Sequence, residues 1–179
     1  MNFKPLKIEG AFIIELNHFK DYRGEFIKTF HHDDFKDFGI PSLHFTESYF
    51  SISQKDVIRG MHFQKIPHEH HKLVYLTCGS ATDVILDLRK ESATYGQYET
   101  IHLDATQPKA VFIPIGLAHG FKALENNTAM TYLLTSVYNP NADGGVAYNS
   151  FGYDWSCENP IISERDKKFP DLKDFETCF

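Results

Sequence analysis

The sequence predicts an all-β fold, a sandwich or small barrel, forming a single domain over residues 1–179. Three observations carry that expectation. Aromatic side chains make up 15% of the 179 residues, with sixteen Phe and nine Tyr, and aromatic and β-branched side chains favour half-buried pleated surfaces. Most of the chain breaks into short apolar runs bounded by Gly, Pro, Asn or Asp, the pattern of many short strands joined by turns. Helical periodicity is weak throughout.

Taken in order, strands are expected at Ala11–Leu16, Phe26–Phe30, Leu43–Ser53, Leu73–Thr77, Ala81–Leu88, Tyr98–Leu103, Ala110–Ile113, Gly120–Ala123 and Met130–Val137. Val57–Gln64 is also strand-like. The step Cys78-Gly-Ser-Ala81 between two of these runs is a hairpin signal. Within Thr82–Leu88, Val84, Leu86 and Leu88 share one face, and Asp83 and Asp87 share the other, which then lines a polar interior or the solvent. Helix is expected only at the edges. Asp33–Phe38 can form a turn or two stopped by Gly39 and Pro41, and the tail from Ser163 opens with a capping residue and breaks at Pro170.

Composition narrows the function. The formal net charge is −6, from 18 basic and 24 acidic side chains, and no basic run stands out. A nucleic-acid surface is therefore not expected. An anionic ligand would need local Arg, Lys and His, and ten His are available. Three scattered cysteines, Cys78, Cys157 and Cys178, fit reduced thiols better than a disulfide framework. Met1–Gly10 lacks the apolar run of a signal peptide, and no stretch approaches a membrane helix. The expected location is the cytoplasm, with no membrane partner.

Three segments concentrate polar chemistry in apolar surroundings. In Val57-Ile-Arg-Gly-Met-His-Phe-Gln64, Arg59 and His62 are embedded in an apolar strand. A lone His in such a run is as a rule a hydrogen-bonded core residue; the permanently charged Arg59, three positions before it, needs an anionic partner. In Ile113-Pro-Ile-Gly-Leu-Ala-His-Gly-Phe121, Pro114 and two glycines set a tight corner that fixes His119. Pro67-His-Glu-His-His-Lys-Leu73 offers three His and Lys72, which suit a metal, a phosphate or simply a wet loop.

With further residues, these segments form an ordered series. Asp21-Tyr-Arg-Gly-Glu-Phe26 is followed by Ser51 and Ser53, the Arg59–His62 strand, Lys72-Leu-Val74, Asp83-Val84, Asp87-Leu-Arg89 and Ser92-Ala-Thr-Tyr-Gly96. Pro114–Phe121, Tyr132, Tyr138, Trp155 and Ser163-Glu-Arg-Asp166 complete it. The series resembles the dTDP-4-dehydrorhamnose 3,5-epimerase family over nearly the whole chain. The resemblance implies a cupin-type jelly-roll β-sandwich, usually a homodimer whose N-terminal strand reaches into the neighbour's site. It implies epimerisation at C3, C5 or both of a 4-keto-6-deoxy sugar carried on a nucleoside diphosphate, in deoxysugar or polysaccharide precursor synthesis. By position, His62 would be the general base, oriented by Asp166, and Tyr132 the acid on the opposite ring face. Lys72 would stabilise the enolate oxygen. Arg59 and His119 would hold the substrate, Arg23 would contact the nucleotide across the dimer, and Tyr138 would line the sugar pocket.

That chemistry suits these residue types. Inversion beside a ketone needs a base on one face and an acid on the other, and a neutral His held by a carboxylate titrates near working pH. The substrate's own ketone is the electron sink, so no cofactor is expected; the sequence also lacks a GxGxxG turn and a Walker motif.

Three positions depart from the family pattern: Lys28 stands where a Glu is common, and Glu47 and Tyr49 stand where a Gln-x-Asn pair is usual. These read as substrate-recognising positions, so the nucleotide stays open among dTDP, CDP and GDP, and inversion at C3 alone or C5 alone stays open too. A different class, a metal-dependent cupin (dioxygenase or isomerase), would use His68, His70 and His119. It lacks the expected Glu ligand and has Lys72 close by, whose charge repels a metal. A non-catalytic carbohydrate-binding jelly roll would not need His62, Lys72, Tyr132 and Asp166 together.

Overall fold

A computed structural model describes residues 1–40 and 43–179; Pro41, one of the two expected helix stops, lies outside the described residues. Among the described residues thirteen strands form: β1 (Asn2–Pro5), β2 (Phe12–Glu15), β3 (Asn17–Asp21), β4 (Gly24–Lys28), β5 (Glu47–Ser53), β6 (Ile58–Gln64), β7 (Lys72–Cys78), β8 (Ser80–Asp87), β9 (Tyr98–Asp104), β10 (Lys109–Ile113), β11 (Leu117–Ala123), β12 (Thr128–Leu134) and β13 (Asp143–Gly145). One short helix, α1 (His32–Asp37), lies between β4 and β5, and one-turn helices cover Asp166–Lys168 and Leu172–Asp174. All the strand pairings are antiparallel. A six-stranded sheet runs β1-β2-β10-β7-β12-β5, a five-stranded sheet runs β13-β6-β11-β8-β9, and β3 and β4 form a separate ribbon.

Period-2 alternation builds the sandwich. On β7, Val74 and Leu76 face the other sheet, whereas Leu73 and Tyr75 face outward. The inner layer joins Val74, Leu76, Val111 and Met130 of one sheet to Ile85, Leu103, Leu117 and Phe121 of the other. Outside the six-stranded sheet, Phe35 of α1 packs with Phe3, Ile14 and Phe112. Outside the five-stranded sheet, Val146, Phe151 and Trp155 of the C-terminal segment cover Met61, Val84, Leu86 and Leu88. Each large side chain buried this way contributes roughly 1.5–3 kcal/mol.

The expected hairpin at Cys78–Ala81 does not form. β7 and β8 belong to different sheets, and only Gly79 separates them. The chain turns a corner there: Gly79 has φ +75°, a Cβ on it would lie 2.6 Å from Thr128 Oγ1, and Thr128 Oγ1 donates to the Ser80 carbonyl. Pro114–Gly116 makes a second sheet-to-sheet corner between β10 and β11.

Other boundaries also shift. The Leu43–Ser53 run becomes strand only from Glu47, and the strand expected at Phe26–Phe30 starts at Gly24 and ends at Lys28. Strands β1, β3 and β13 were not signalled by apolar patterning; each carries polar residues or glycine, and pairing to a neighbour defines it. The Asp83–Asp87 face of β8 turns into the sandwich, and both carboxylates are fully buried.

Candidate active site

A cavity of about 190 Å³ opens between the sheets, lined by Tyr49, Ser51, Arg59, His62, Lys72, His119, Tyr132 and Arg165. A smaller one beside it, about 120 Å³, shares Tyr49, His62, Lys72 and Arg165 and adds Gln64, His70, Tyr138 and Asp143. The five-stranded sheet supplies Arg59 and His62 from β6 and His119 from β11, whereas the six-stranded sheet supplies Tyr49 from β5, Lys72 from β7 and Tyr132 from β12.

Arg59 and His62 are three residues apart, a spacing that puts two side chains on opposite faces of a regular strand. A β-bulge reverses this. His62 pairs with His119 and Arg59 with Phe121, so Gly60 and Met61 together stand opposite Gly120. The backbones approach closely there, and a Cβ on Gly60 would lie 2.5 Å from Gly120 Cα. The bulge therefore aims both side chains into the cavity.

His62 Nε2 lies 3.0 Å from Asp166 Oδ2. Asp166 is 2% exposed, and its carboxylate also accepts from the Gly60 N–H at 3.2 Å and from Arg165 Nε at 3.0 Å. Burial pushes the Asp166 carboxyl up, but His62, the Gly60 N–H and Arg165 outweigh it and hold the group well below the usual carboxylate range. Ser163 Oγ accepts from the Asp166 N–H, so the capping pattern in the tail is present while the Asp166 side chain is used elsewhere. Burial lowers the His62 imidazole against the upward pull of Asp166, with Arg165 and Lys72 adding to the fall, so the ring is neutral near pH 7.

Across the cavity, the Tyr132 ring stacks on Tyr49 with centroids 4.7 Å apart, as their paired register on β12 and β5 dictates. Burial pushes the Tyr132 hydroxyl far above its ordinary value, so it keeps its proton. Lys72 is buried and donates to the His62 carbonyl at 3.0 Å. Burial brings its ammonium down to about 8 although Asp143 and Asp83 favour the charge. His119 is held by Asp83 at 2.6 Å, both side chains being buried. Arg59 donates to Ser53 Oγ and to the Ile52 carbonyl, and among the described residues no carboxylate pairs with it.

The structure thus gathers His62, Asp166, Lys72, Tyr132, Arg59, His119, Tyr49 and Tyr138 around one place, with Glu47 at its rim accepting from the Tyr138 N–H. Arg23 and Lys28 do not join them. They sit on the β3–β4 ribbon, where Arg23 is paired with Asp21 in an exposed turn. The metal trio of the alternative cupin reading does not converge: His68 meets Asn139, His70 meets Gln64, and His119 meets Asp83. Among the described residues, no group of three His, Cys, Asp or Glu side chains could hold a metal. Burial takes His70 down to about 3, with Lys72 adding to the effect. Two contributors escaped sequence reasoning: Arg165, which lies next to Asp166 and touches both it and His62, and Asp143, which anchors Arg165 at 2.8 Å. The first had a signal in its adjacency to Asp166; the second had none.

Fold and cavity together define a class: a cupin-type jelly-roll enzyme whose polar cavity between two sheets brings His62 and Lys72 together with Tyr132. The family model for dTDP-4-dehydrorhamnose 3,5-epimerase matches residues 5–174. An enzyme of that name from Methanothermobacter thermautotrophicus is 36% identical over 96% of this chain and 95% of its own length. A dTDP-4-dehydrorhamnose 3-epimerase from Streptomyces niveus is 34% identical over 93% of this chain and 82% of its own. The solved dTDP-6-deoxy-D-glucose-3,5-epimerase of Legionella pneumophila, in complex with dTDP-4-keto-L-rhamnose, superposes with a TM-score of 0.93 at 30% identity, covering 98% of this chain and 94% of that one. The chain belongs to the dTDP-4-dehydrorhamnose 3,5-epimerase family and is an epimerase. No helix among its described residues is long and apolar enough to cross a membrane.

Proposed function

We propose that the protein inverts C3, C5 or both of a dTDP-linked 4-keto-6-deoxy sugar, through an enolate, in deoxysugar precursor synthesis. The observation that carries this reading is the placement of the His62–Asp166 pair on one side of a single cavity and Tyr132 with Lys72 on the other. His62 removes the proton beside the ketone, with Asp166 fixing its tautomer and stabilising the imidazolium. Positioned proton transfer of this kind is worth ~10²–10⁴-fold. The buried Lys72 ammonium faces the enolate oxygen, where a preorganised charge costs no reorganisation as the anion forms. Tyr132, kept protonated by burial, returns a proton to the opposite face. Arg59, free of a carboxylate, takes the diphosphate, His119 is oriented by Asp83 toward the sugar, and Glu47, Tyr49 and Tyr138 line the approach. The ketone itself accepts the electron pair, so the reaction needs no cofactor.

The working form in this reading is a homodimer with one domain per chain, in the cytoplasm. The β3–β4 ribbon pairs with no other described strand and exposes Phe19 and Phe26 beside Arg23. A second copy covering those rings would carry Arg23 and Lys28 to its neighbour's nucleotide. The test is proton NMR in deuterated water with 4-keto-6-deoxy sugars on dTDP, CDP and GDP. Wild type incorporates deuterium at the inverted carbons of the dTDP sugar. His62→Asn abolishes that exchange. Tyr132→Phe retains exchange on the base side while losing inversion. Near-wild-type exchange in His62→Asn would sink the role given to His62.

A further inference from the structure

His62 Nε2 has two neighbours that make opposite demands on it. Asp166 Oδ2 lies 3.0 Å away and Arg165 Nη2 2.6 Å away. A guanidinium offers only N–H donors, and an ionised carboxylate offers only acceptors. With a proton, Nε2 donates to Asp166 and abuts an N–H it cannot accept. With a lone pair, it accepts from Arg165 and faces a carboxylate that has no proton to give. The two contacts therefore exclude each other at any instant, and protonating the whole ring does not reconcile them, because the imidazolium is a donor at both nitrogens.

Arg165 is built to hold its place and also to leave it. Nη1 donates to Asp143 Oδ2 at 2.8 Å and Nε to Asp166 Oδ1 at 3.0 Å, which leaves Nη2 as the arm that reaches the imidazole. The residue sits in the C-terminal tail rather than on a strand, and its side chain is 49% exposed. It lines both sheet-bounded cavities and the groove beside them. The other charged and titratable groups that line the cavities with His62 or pair with it are Lys72 on β7, His119 on β11, Arg59 on β6, Asp143 on β13, Tyr49 on β5, Tyr132 on β12, and His70 and Tyr138 in loops. None of these is within hydrogen-bond reach of Nε2.

We propose that Arg165 is a positioning residue that sets the tautomer of His62. Engaged, its Nη2–H occupies the Nε2 lone pair and confines the ring proton to Nδ1, which leaves no free basic nitrogen. Turned away, as when an anionic or carbonyl group of a ligand takes that N–H, it lets Nε2 carry the proton to Asp166 and leaves the lone pair on Nδ1. The base is armed only in the second state. This inference rests on the reading of His62 as the general base.

The experiment is nitrogen NMR of protein labelled in its histidine rings, without ligand, at about pH 8, where the depressed imidazole is neutral. Wild type is expected to show Nε2 as the unprotonated nitrogen and Nδ1 as the protonated one. Arg165→Met, which keeps the stem and removes the donor, is expected to exchange the two assignments. Asp143→Asn, which loosens the anchor without touching His62, shifts the ratio the same way, and it serves if the first variant does not fold. A ring already protonated at Nε2 in wild type overturns the proposal, as does a tautomer unmoved in both variants. Because this measurement needs no substrate, it can fail while the His62→Asn exchange test succeeds, and the reverse.

Discussion

Lys72→Met removes a buried ammonium and keeps most of the apolar stem. Burial brings the Lys72 ammonium from 10.5 down to about 8 in the folded protein. That drop corresponds to roughly 3 kcal/mol by which the charged group disfavours the fold. Since the folded value lies below the unfolded one, the unfolded chain binds more protons between about 8 and 10.5. Wild-type stability therefore rises with pH across that window, and the cost is fully present below it. Against this stands the lost hydrogen bond to the His62 carbonyl, worth about 1 kcal/mol. The variant should thus be more stable than wild type at pH 7 by about 1–2 kcal/mol, a gain of several degrees in Tm for a chain of this size. The gap should close and then reverse as pH approaches about 10.5. Over the same substitution kcat should fall ~10²–10³-fold, the usual cost of removing one preorganised group facing a developing oxyanion. Denaturant titrations at matched protein concentration, at pH 7 and near pH 10, read the first effect, and the exchange assay reads the second. A variant less stable than wild type at pH 7, or a gap that does not move with pH, would refute the reasoning about burial.

Two further predictions concern the frame around the base. Gly60→Ala places a Cβ against Gly120 Cα at a φ of +138°, so it should destabilise by ~1–3 kcal/mol and cut kcat by about 10²-fold through displaced Arg59 and His62; unchanged kcat with full folding would show that the bulge does not aim them. Asp166→Asn should cost ~3 kcal/mol at pH 7. Because the folded carboxyl lies below its unfolded value, the wild-type advantage is present above about pH 4 and disappears as pH falls through the folded value. Acid titrations of both proteins that never converge would contradict that linkage.

Much of the fold was legible because ten runs with apolar faces, Val57–Gln64 among them, became strands with boundaries moved by a few residues. What failed had local causes. A single Gly79 between two strands resembles a tight turn, yet the chain passes from one sheet to the other there, and only the packing of Thr128 against the glycine reveals it. The mostly polar strands β1, β3 and β13 are defined chiefly by pairing to a neighbour, β1 adding the buried Phe3. The ordered motif series pointed to many of the side chains that meet at the cavity, but it gave no part to Arg165 or Asp143, and it brought in Arg23 and, as a departure, Lys28, which lie on the ribbon; the geometry was not legible. Strict alternation separates Arg59 from His62, and the bulge that reunites them left only Gly60 as a sign, a glycine inside a strand run. Asp83 showed itself as a polar residue on a strand face without showing that it holds His119. Three histidines in the Pro67–Leu73 segment suited a metal, a phosphate or a wet loop; in the structure each is tied to its own neighbour or has its imidazole lowered by burial.

The division of the cavity between two sheets has a consequence for how this reaction can be tuned. With His62 as base on the five-stranded layer and Tyr132 as acid on the six-stranded layer, as proposed above, the distance a sugar ring must bridge is the thickness of the sandwich at that point. Sheets packed face to face stand ~10 Å apart, a spacing set by the side chains between them. Met130, Ile85 and Phe121 are such spacers, and none of them lines the cavity. Trimming or enlarging one of them would act as a shim, changing the separation of the two proton-transfer partners without altering either. Under the proposed roles, the apolar core would gauge how far apart the two proton-transfer partners stand.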